Sequence, residues 1–368
     1  MYFQIDFNMD PIGVESLLRY SALWGAGLIV AGLISVVPGD AGANASTPST
    51  QLEIPLGLDI YMPIPEENPL TLQKVALGKR LFSERLLSRD RSLSCTSCHD
   101  PRHAFTDGRP VSRGVAGREG TRNAPTLINR GYGASFFWDG RAHSLEEQVV
   151  QPIQNPNELD LTLAEAVSRL RDQRTYRRRF QAVFDRQVEA QDLALALASY
   201  VRTILSGNSL YDRYLSGERD ALSAQARKGL QIFRGKGNCT ACHLGPSLTD
   251  ERFHNTGVAW RKDRLLDEGR FEVTGNPEHR GAFKTPTLRE IDRTAPYMHD
   301  GSIRSLEEVI EFYNRGGNLN PTLDSEVRPL NLTKDESADL LAFLRAQRGV
   351  VQEGLGASAK YNRQGGPE

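Results

Sequence analysis

The four cysteines of this 368-residue chain constrain its fold more than any other feature, because all four belong to two copies of one short pattern. The pattern is C-x-x-C-H, formed by Cys95, Cys98 and His99 in the first copy and by Cys239, Cys242 and His243 in the second. A C-x-x-C pair followed at once by histidine is the attachment signature of c-type haem. Both thiols bond covalently to the porphyrin, and the histidine binds the iron as proximal ligand. We therefore predict two c-type haems, with His99 and His243 as their proximal ligands.

An apolar segment near the N-terminus indicates that the chain is exported. Residues 22–37 form an uncharged run of 16 residues, which is short for a membrane span and typical of a signal-peptide core. An A-x-A cleavage site follows at residues 43–45. We predict that residues 1–45 are a signal peptide or an N-terminal anchor and that the protein is periplasmic. An exported chain with four cysteines could carry two disulfides. Two full copies of the haem signature that use every cysteine favour haem over disulfides and over zinc.

The haem motifs are part of a longer internal duplication. The repeated blocks are GKRLF and GLQIF before the motifs, PTL after them, DG at an offset of 14 residues from each PTL proline, and SLEE four residues after each DG glycine. Each half also ends in an apolar stretch with helical spacing, at residues 193–205 and 338–344. We therefore predict a mainly α protein of two tandem cytochrome c-like domains, each binding one covalent haem. The domains are expected at residues 46–215 and 216–350, followed by a flexible tail at residues 351–368.

The two halves differ at one position that bears on iron ligation. Alignment of FFWDGRAHSLEEQVVQP with YMHDGSIRSLEEVIEFY puts Pro152 opposite Tyr313. Proline has no side-chain ligand, whereas tyrosine can offer a phenolate oxygen to iron. We therefore expect an open first iron and a second iron closed by Tyr313. Met298 is the alternative sixth ligand, because methionine also binds iron in c-type cytochromes. Its register partner is Phe137, an apolar residue beside the turn, and this favours Tyr313.

Over residues 54–348 the chain resembles the di-haem bacterial cytochrome c peroxidase and MauG family. The resemblance rests on the two haem motifs and on NAPTL, FWDGRAHSLEEQ, FKTPTLRE and APYMHDGS. It implies that Trp138, which aligns with His299, lies between the haems as a relay for electrons. It also implies that Gln148 and Glu158 lie on the distal side of the first haem, where Glu158 acts as acid and base in cleaving the O–O bond of peroxide.

The resemblance further implies a calcium ion between the domains. Its ligands would be the side chain of Asn123 and the carbonyl oxygens of Thr294 and Pro296. These positions lack the carboxylates that calcium sites usually contain. The expectation of one calcium ion therefore rests on the resemblance alone.

Two departures from the peroxidase pattern indicate the MauG branch. The peroxidases usually have methionine where Tyr313 stands. Many also carry a histidine after the first haem motif that caps the iron, whereas residues 111–120 contain none. The first haem is therefore expected to be high-spin and to bind peroxide, and the second to be low-spin. The resemblance then implies an oxidoreductase that uses hydrogen peroxide to form a high-valent di-haem state and oxidises a tryptophan or tyrosine on an exported partner protein.

Two other functions stay open at this point. One is a cytochrome c peroxidase that draws electrons from a small cytochrome or cupredoxin, and the other is a di-haem electron carrier without catalysis. Tyr313 argues against the first and an open first iron against the second. In MauG, electrons pass between the haems and the protein substrate through a surface tryptophan six residues before the second proximal histidine. This chain has Gly237 at that place, which argues against the same substrate as that of MauG. A net charge of -1 gives no indication of a nucleic-acid partner.

Overall fold

The computed structural model of the protein describes residues 52–356. The predicted signal peptide at residues 1–45 lies outside this range, as do residues 357–368 of the predicted tail. Within the described residues, no helix combines the length and the apolar character that crossing a membrane requires.

Helices dominate residues 52–356, and the strands are few and short, as the sequence predicts. The α-helices are α1 (Leu72–Phe82), α2 (Leu145–Gln148), α3 (Gln151–Gln154), α4 (Leu163–Asp172), α5 (Arg174–Phe184), α6 (Ala190–Arg202), α7 (Leu210–Leu215), α8 (Ala224–Arg234), α9 (Phe271–Thr274), α10 (Leu306–Asn314) and α11 (Lys334–Arg345). The strands are β1 (Leu205–Gly207), β2 (Phe253–His254), β3 (Trp260–Arg261), β4 (Arg264–Leu265), β5 (Phe283–Lys284) and β6 (Val350–Gln352). The strands pair antiparallel, β1 with β6, β2 with β5 and β3 with β4.

Single turns of 3-10 helix connect many of these elements. They lie at Arg85–Leu87, Cys95–Ser97, Pro101–His103, Val115–Gly117, Arg130–Tyr132, Cys239–Ala241, Pro277–His279 and Ile291–Arg293. Two of them contain the first cysteine of a haem motif, so both motifs begin in the same local conformation.

Each half contains one pair of closely crossing helices, α1 with α6 in the first half and α8 with α11 in the second. A glycine lies at each crossing. A Cβ atom on Gly78 would come within 1.9 Å of the carbonyl oxygen of Ala196, and one on Gly229 within 1.9 Å of that of Asp339. Any larger residue would therefore overlap the partner helix. The GKRLF and GLQIF blocks thus repeat because both halves need the same close approach.

Buried apolar side chains form two main clusters. The first draws its members from Val75 to Ile204, and the second from Tyr211 to Ala346. The predicted domain boundary after residue 215 assigns α7 to the first half, yet Tyr211 of α7 packs in the second cluster. The boundary between the two cores therefore lies before Tyr211, a few residues earlier than predicted. The reason is that Tyr211 of α7 packs against Phe343 of the second helix pair.

The C-terminal strand β6 includes residues 351 and 352, where the sequence predicts the start of a flexible tail. It pairs with β1 in a register that places Gln352 opposite Leu205. Beyond the strand, the backbone N–H of Gly354 donates a hydrogen bond to Oγ1 of Thr203 at 2.9 Å. The first residues of the predicted tail are therefore part of the folded structure, because their backbone groups pair with the end of the first half.

Candidate di-haem site

The two C-x-x-C-H motifs have the same backbone conformation. The N–H of His99 donates to the carbonyl oxygen of Cys95 at 2.9 Å, and the N–H of His243 donates to that of Cys239 at 2.8 Å. None of the four cysteines forms a disulfide. This conformation keeps the two thiols of each motif and the following imidazole on one short turn, as thioether attachment and axial ligation require.

Each motif histidine is oriented by a backbone carbonyl. Nδ1 of His99 lies 3.0 Å from the carbonyl oxygen of Phe105, and Nδ1 of His243 lies 2.9 Å from that of Leu248. A carbonyl oxygen only accepts, so Nδ1 carries the proton and Nε2 keeps its lone pair. Burial lowers the pKa of both imidazoles, which favours the neutral form that binds a metal. Both side chains therefore have the tautomer and charge of a proximal haem ligand.

The DG turns after the PTL blocks also repeat in three dimensions. Phe137 and Met298, the residues two before each turn aspartate, both have positive φ, 65° and 75°. The turn glycines have φ of 70° at Gly140 and 61° at Gly301, a conformation that glycine adopts without steric cost. The SLEE serines then cap α2 and α10, each accepting the N–H of the residue three positions on at 3.1 Å. The gap-free alignment of these blocks thus corresponds to equivalent backbone positions.

Both motifs open into one continuous cavity of about 430 Å³. Its walls include all but one of the residues that the sequence proposes for the site: Cys98, His99, Asn123, Trp138, Gln148, Glu158, Cys239, Cys242, His243, Thr294, Pro296 and Tyr313. The exception is Cys95, which packs against the first hydrophobic cluster. A shared, largely apolar cavity with two ligating imidazoles and two cysteine pairs fits two haems held close together.

Pro152 and Tyr313 both line this cavity, but on helices of different length. α10 is continuous from Leu306 to Asn314, whereas the corresponding segment of the first half divides into α2 and α3, with Pro152 in the first turn of α3. Proline lacks the N–H that a continuous helix needs at this point. The cavity wall at Pro152 therefore offers iron no ligand atom.

The Tyr313 phenol lies beside the second haem motif. Burial raises its pKa, and the thiol of Cys242 adds to this effect. The anionic form therefore needs a positive partner, which a haem iron would supply. Met298 lines the same cavity, so the structure leaves both predicted sixth ligands within the site.

Glu158 lies on the cavity wall of the first half. Its Oε1 accepts a hydrogen bond from Nδ2 of Asn155 at 2.6 Å. Burial raises the pKa of Glu158, although the Asn155 hydrogen bond opposes the shift. A carboxyl group that holds its proton to higher pH suits a general acid. Gln148 lines the cavity in the first half, and its register partner Val309 lines it at the equivalent position in the second half. The first half therefore has a polar side chain at this position and the second half an apolar one.

Trp138 connects the two halves through its own hydrogen bonds. Its indole N–H donates to the carbonyl oxygen of Asn123 at 2.9 Å, and its carbonyl oxygen accepts the N–H of Lys284 at 2.8 Å. The N–H of Asn123 in turn donates to the carbonyl oxygen of His299 at 2.7 Å. The two residues that align in the sequence repeat, Trp138 and His299, are therefore linked through one asparagine. His299 is buried and stacks on Phe283 with ring centroids 3.6 Å apart.

A charged cluster beside Trp138 was not predicted from the sequence. The Arg122 guanidinium pairs with Asp139, and with both carboxylate oxygens of Asp267 at 2.7 Å. Oδ2 of Asp267 lies 3.9 Å from Nε2 of His299. Asp139 belongs to the DG turn. Asp267 lies in the long loop of the second half, which cannot be aligned with any segment of the first half. Asn155 was also missed, since only its spacing of three residues from Glu158 suggests the contact.

The oxygen atoms proposed for calcium are free to bind a cation. Nδ2 of Asn123 donates to the carbonyl oxygen of Arg109 at 2.8 Å. No residue within 52–356 donates a hydrogen bond to Oδ1 of Asn123 or to the carbonyl oxygens of Thr294 and Pro296. All three residues line the cavity, and these neutral oxygens fit a hard cation, so the calcium site remains a prediction.

His254 is the centre of a further polar group. Its two ring nitrogens lie 2.6 Å from Oδ2 of Asp324 and 2.9 Å from Oδ2 of Asp250. Cys242, Asp250 and His254 bring their ligand atoms within 4.8 Å of one another. Thioether formation with haem would consume the thiol of Cys242, so this group is better described as a hydrogen-bonded histidine than as a metal site.

The fold, the two repeated motifs and the cavity that they share are those expected of a di-haem protein of the c type. The model of the family described as di-haem cytochrome c peroxidase matches residues 72–220. The methylamine utilization protein MauG of Methylorubrum extorquens is 39% identical over 285 residues, covering 77% of this chain and 80% of the relative. The cytochrome-c peroxidase IdrP1 of Denitromonas iodatirespirans is 38% identical over 324 residues, covering 79% of this chain and 86% of the relative.

A solved structure is also similar over most of its length. The crystal structure of a MauG-like protein associated with microbial copper homeostasis superposes with a TM-score of 0.75 and 34% identity, covering 79% of this chain and 95% of that one. The chain therefore belongs to the di-haem cytochrome c peroxidase and MauG family. It is a haem-dependent oxidoreductase of the peroxidase type, as the sequence predicts.

Proposed function

We propose that this protein uses hydrogen peroxide to oxidise a tryptophan or tyrosine of a separate exported protein in the periplasm, as a MauG-like enzyme. The observation that carries the proposal is the unequal pair of equivalent positions in one cavity, Pro152 in the first half and Tyr313 in the second. The first iron is left open to peroxide, and the second is closed by an oxygen ligand. Bound haem supplies iron that takes up oxidising equivalents from peroxide.

Glu158 is the residue that we assign to proton transfer. Cleavage of the O–O bond leaves a basic oxygen, and a carboxyl group that is still protonated can supply its proton. The Asn155 hydrogen bond at 2.6 Å holds the carboxyl group in one orientation toward the cavity. Gln148 adds a second polar side chain on the same wall.

Trp138 is the residue that we assign to electron transfer between the two sites. Its side chain lines the shared cavity, and its hydrogen bonds join backbone groups of both halves. These contacts support the proposed position of the ring between the two motifs. The calcium proposed at Asn123 would stiffen the same contact, because Asn123 also accepts the indole N–H.

The spin states of the two irons provide the first test. The purified ferric protein with both haems should show one high-spin and one low-spin signal in electron paramagnetic resonance. Two low-spin signals would contradict the open first site. The second test uses an exported protein encoded beside this one, incubated with the enzyme and peroxide. Mass spectrometry should then find added oxygen or lost hydrogen at one tryptophan or tyrosine.

A cytochrome c peroxidase is the second candidate, favoured by the presence of Met298 in the cavity wall. A methionine ligand raises the reduction potential of a haem and suits electron uptake from a small cytochrome or cupredoxin. Rapid oxidation of reduced cytochrome c by peroxide, beside an unmodified partner protein, would establish this function instead. If Tyr313 is the ligand, Tyr313→Met should increase that turnover, whereas Met298→Leu should leave it unchanged.

A further inference from the structure

The crossing helices of the two halves differ at one aromatic position. An added Cβ on Gly78 would come within 2.9 Å of Cβ of Tyr200, and one on Gly229 within 2.8 Å of Cβ of Phe343. Tyr200 and Phe343 are therefore structural equivalents. The second half fills this position with phenylalanine, so packing of the helix pair does not require the hydroxyl group that the first half carries.

Tyr200 is connected to the first proximal histidine by an aromatic neighbour. The ring centroid of Phe82 lies 6.4 Å from that of His99 and 5.2 Å from that of Tyr200, in an edge-to-face contact with the tyrosine. Tyr200 is only 2% exposed. Three aromatic rings thus lead from the proximal side of the first haem site into α6.

The hydroxyl group of Tyr200 leads on to the surface. It donates a hydrogen bond to Oε2 of Glu353, whose Oε1 accepts one from Nζ of Lys79 at 2.8 Å. The Glu353 side chain is 30% exposed and that of Lys79 is 53% exposed. Glu353 therefore joins a buried phenol to solvent through its two oxygens.

A buried phenol loses an electron more easily when a base takes its proton. Burial, together with the hydrogen bond that the hydroxyl group donates to Glu353, raises the pKa of Tyr200, so the group is neutral in the folded protein. Removing an electron alone would leave a positive charge in an apolar core, which is costly. A carboxylate already bonded to the hydroxyl group avoids that charge.

We propose that Tyr200 is a redox-active tyrosine that carries an oxidising equivalent from the first haem site to the surface at Glu353. Reduction of hydrogen peroxide to two waters requires two electrons and two protons. Tyr200 supplies one of these electrons through the haem, the haem groups would supply the other and stay oxidised by one electron, and solvent water supplies both protons. The phenolic O–H bond breaks, and its proton forms a new O–H bond on Glu353. The products are a neutral phenoxyl radical and a neutral carboxylic acid.

This route is separate from Trp138, because Tyr200 lies behind the proximal histidine rather than between the two motifs. It rests on the peroxide reactivity in the proposed function but not on the identity of the partner protein. In the absence of a partner, it would draw oxidising equivalents away from the haems.

The test uses the full protein with both haems, mixed with one equivalent of hydrogen peroxide and no partner. Samples frozen within milliseconds to seconds are measured by electron paramagnetic resonance, with and without ring-deuterated tyrosine. A radical signal that narrows on deuteration is expected in the wild type and should be lost in Tyr200→Phe. Phenylalanine in the equivalent place in the second half indicates that this variant folds.

Tyr176→Phe is the matched control. Tyr176 is also 2% exposed and donates to a carboxylate, Oε2 of Glu84, at 2.7 Å. Its ring packs against the Arg80 guanidinium at 5.7 Å. Removing this hydroxyl group should leave the radical signal unchanged. Glu353→Gln keeps a hydrogen-bond acceptor for Tyr200 but cannot take up a proton in the same way, and it should also lose the signal.

The proposal is overturned if the tyrosyl signal persists in Tyr200→Phe. It is also overturned if the wild type shows none although peroxide changes the haem absorption bands. Oxidation of the partner protein separates this result from the proposed function. Tyr200→Phe should still modify the partner, and a wild type that forms the radical but leaves every partner unmodified would count against the proposed function alone.

Discussion

Replacing the crossing glycines by alanine should destabilise each half of the protein through a backbone clash. A methyl group on Gly78 would come within 1.9 Å of the Ala196 carbonyl oxygen, where ordinary contact begins at 3.4 Å. The helices α1 and α6 would have to separate by about 1.5 Å. The carbonyl group cannot rotate away, because it belongs to the backbone of α6. Gly78→Ala should therefore disturb Phe82 and the support of His99 as well as the core.

The expected loss of stability can be estimated from two opposing effects. Overpacking a core costs about 1–3 kcal/mol, and a backbone clash belongs at the upper end. Alanine regains about 1 kcal/mol relative to glycine through its helix propensity. The net loss is therefore about 2 kcal/mol. For a domain of this size, that corresponds to a fall in Tm of about 4–8 °C.

Thermal unfolding followed by circular dichroism measures this effect on the protein with both haems. Gly229→Ala should give a similar loss, because its contact with Asp339 has the same length. Gly120→Ala is the control, since its nearest neighbour would lie at 3.7 Å and its φ is not positive. A Tm for Gly78→Ala equal to or above that of the wild type would refute the helix crossing described here.

Three further predictions concern activity and stability. Glu158→Gln should slow peroxide reduction by about 10²–10⁴-fold in stopped-flow absorption, because it removes the proton donor. Since burial raises the pKa of Glu158, the wild-type rate should stay level at low pH and fall as pH rises through that raised pKa; this fall should be absent in the variant, and its persistence would exclude Glu158 as the acid. Trp138→Phe should keep both haems and peroxide binding but slow oxidation of the second site, and an unchanged rate there would remove Trp138 as the relay. Arg289→Met should lower the free energy of unfolding by about 3–5 kcal/mol, because it leaves the buried Asp212 carboxylate without its cation. The exposed pair of Arg213 with Glu218 is the control, and Arg213→Met should leave the unfolding midpoint nearly unchanged in the same denaturant titration.

Residues whose geometry depends on near neighbours could be predicted from the sequence. The haem motifs, the DG turns and the serine caps each span only a few residues, so their conformation follows from local hydrogen bonds and from glycine at positive φ. Residues that align in the sequence repeat therefore have equivalent backbone positions. Pro152 and Tyr313 line the same cavity, in agreement with their alignment.

Contacts between distant segments could not be predicted in this way. Arg122 meets Asp267 across 145 residues, and Asp267 lies in a loop that has no counterpart in the first half. The prediction of a flexible tail from residue 351 is wrong for its first residues for a related reason. Strand β6 is ordered by pairing with β1 and not by its own composition.

The sequence by itself determined the two haem-attachment motifs, the imidazole that follows each of them, and which half has proline where the other has tyrosine, because covalent chemistry and short turns are local. Only the tertiary structure decided that the two motifs share one cavity, that Trp138 joins the halves and that Tyr200 meets Glu353 across 153 residues. The position of Tyr200 depends on how closely α6 crosses α1 at Gly78. That distance is set by packing of the whole core, which no short stretch of sequence contains.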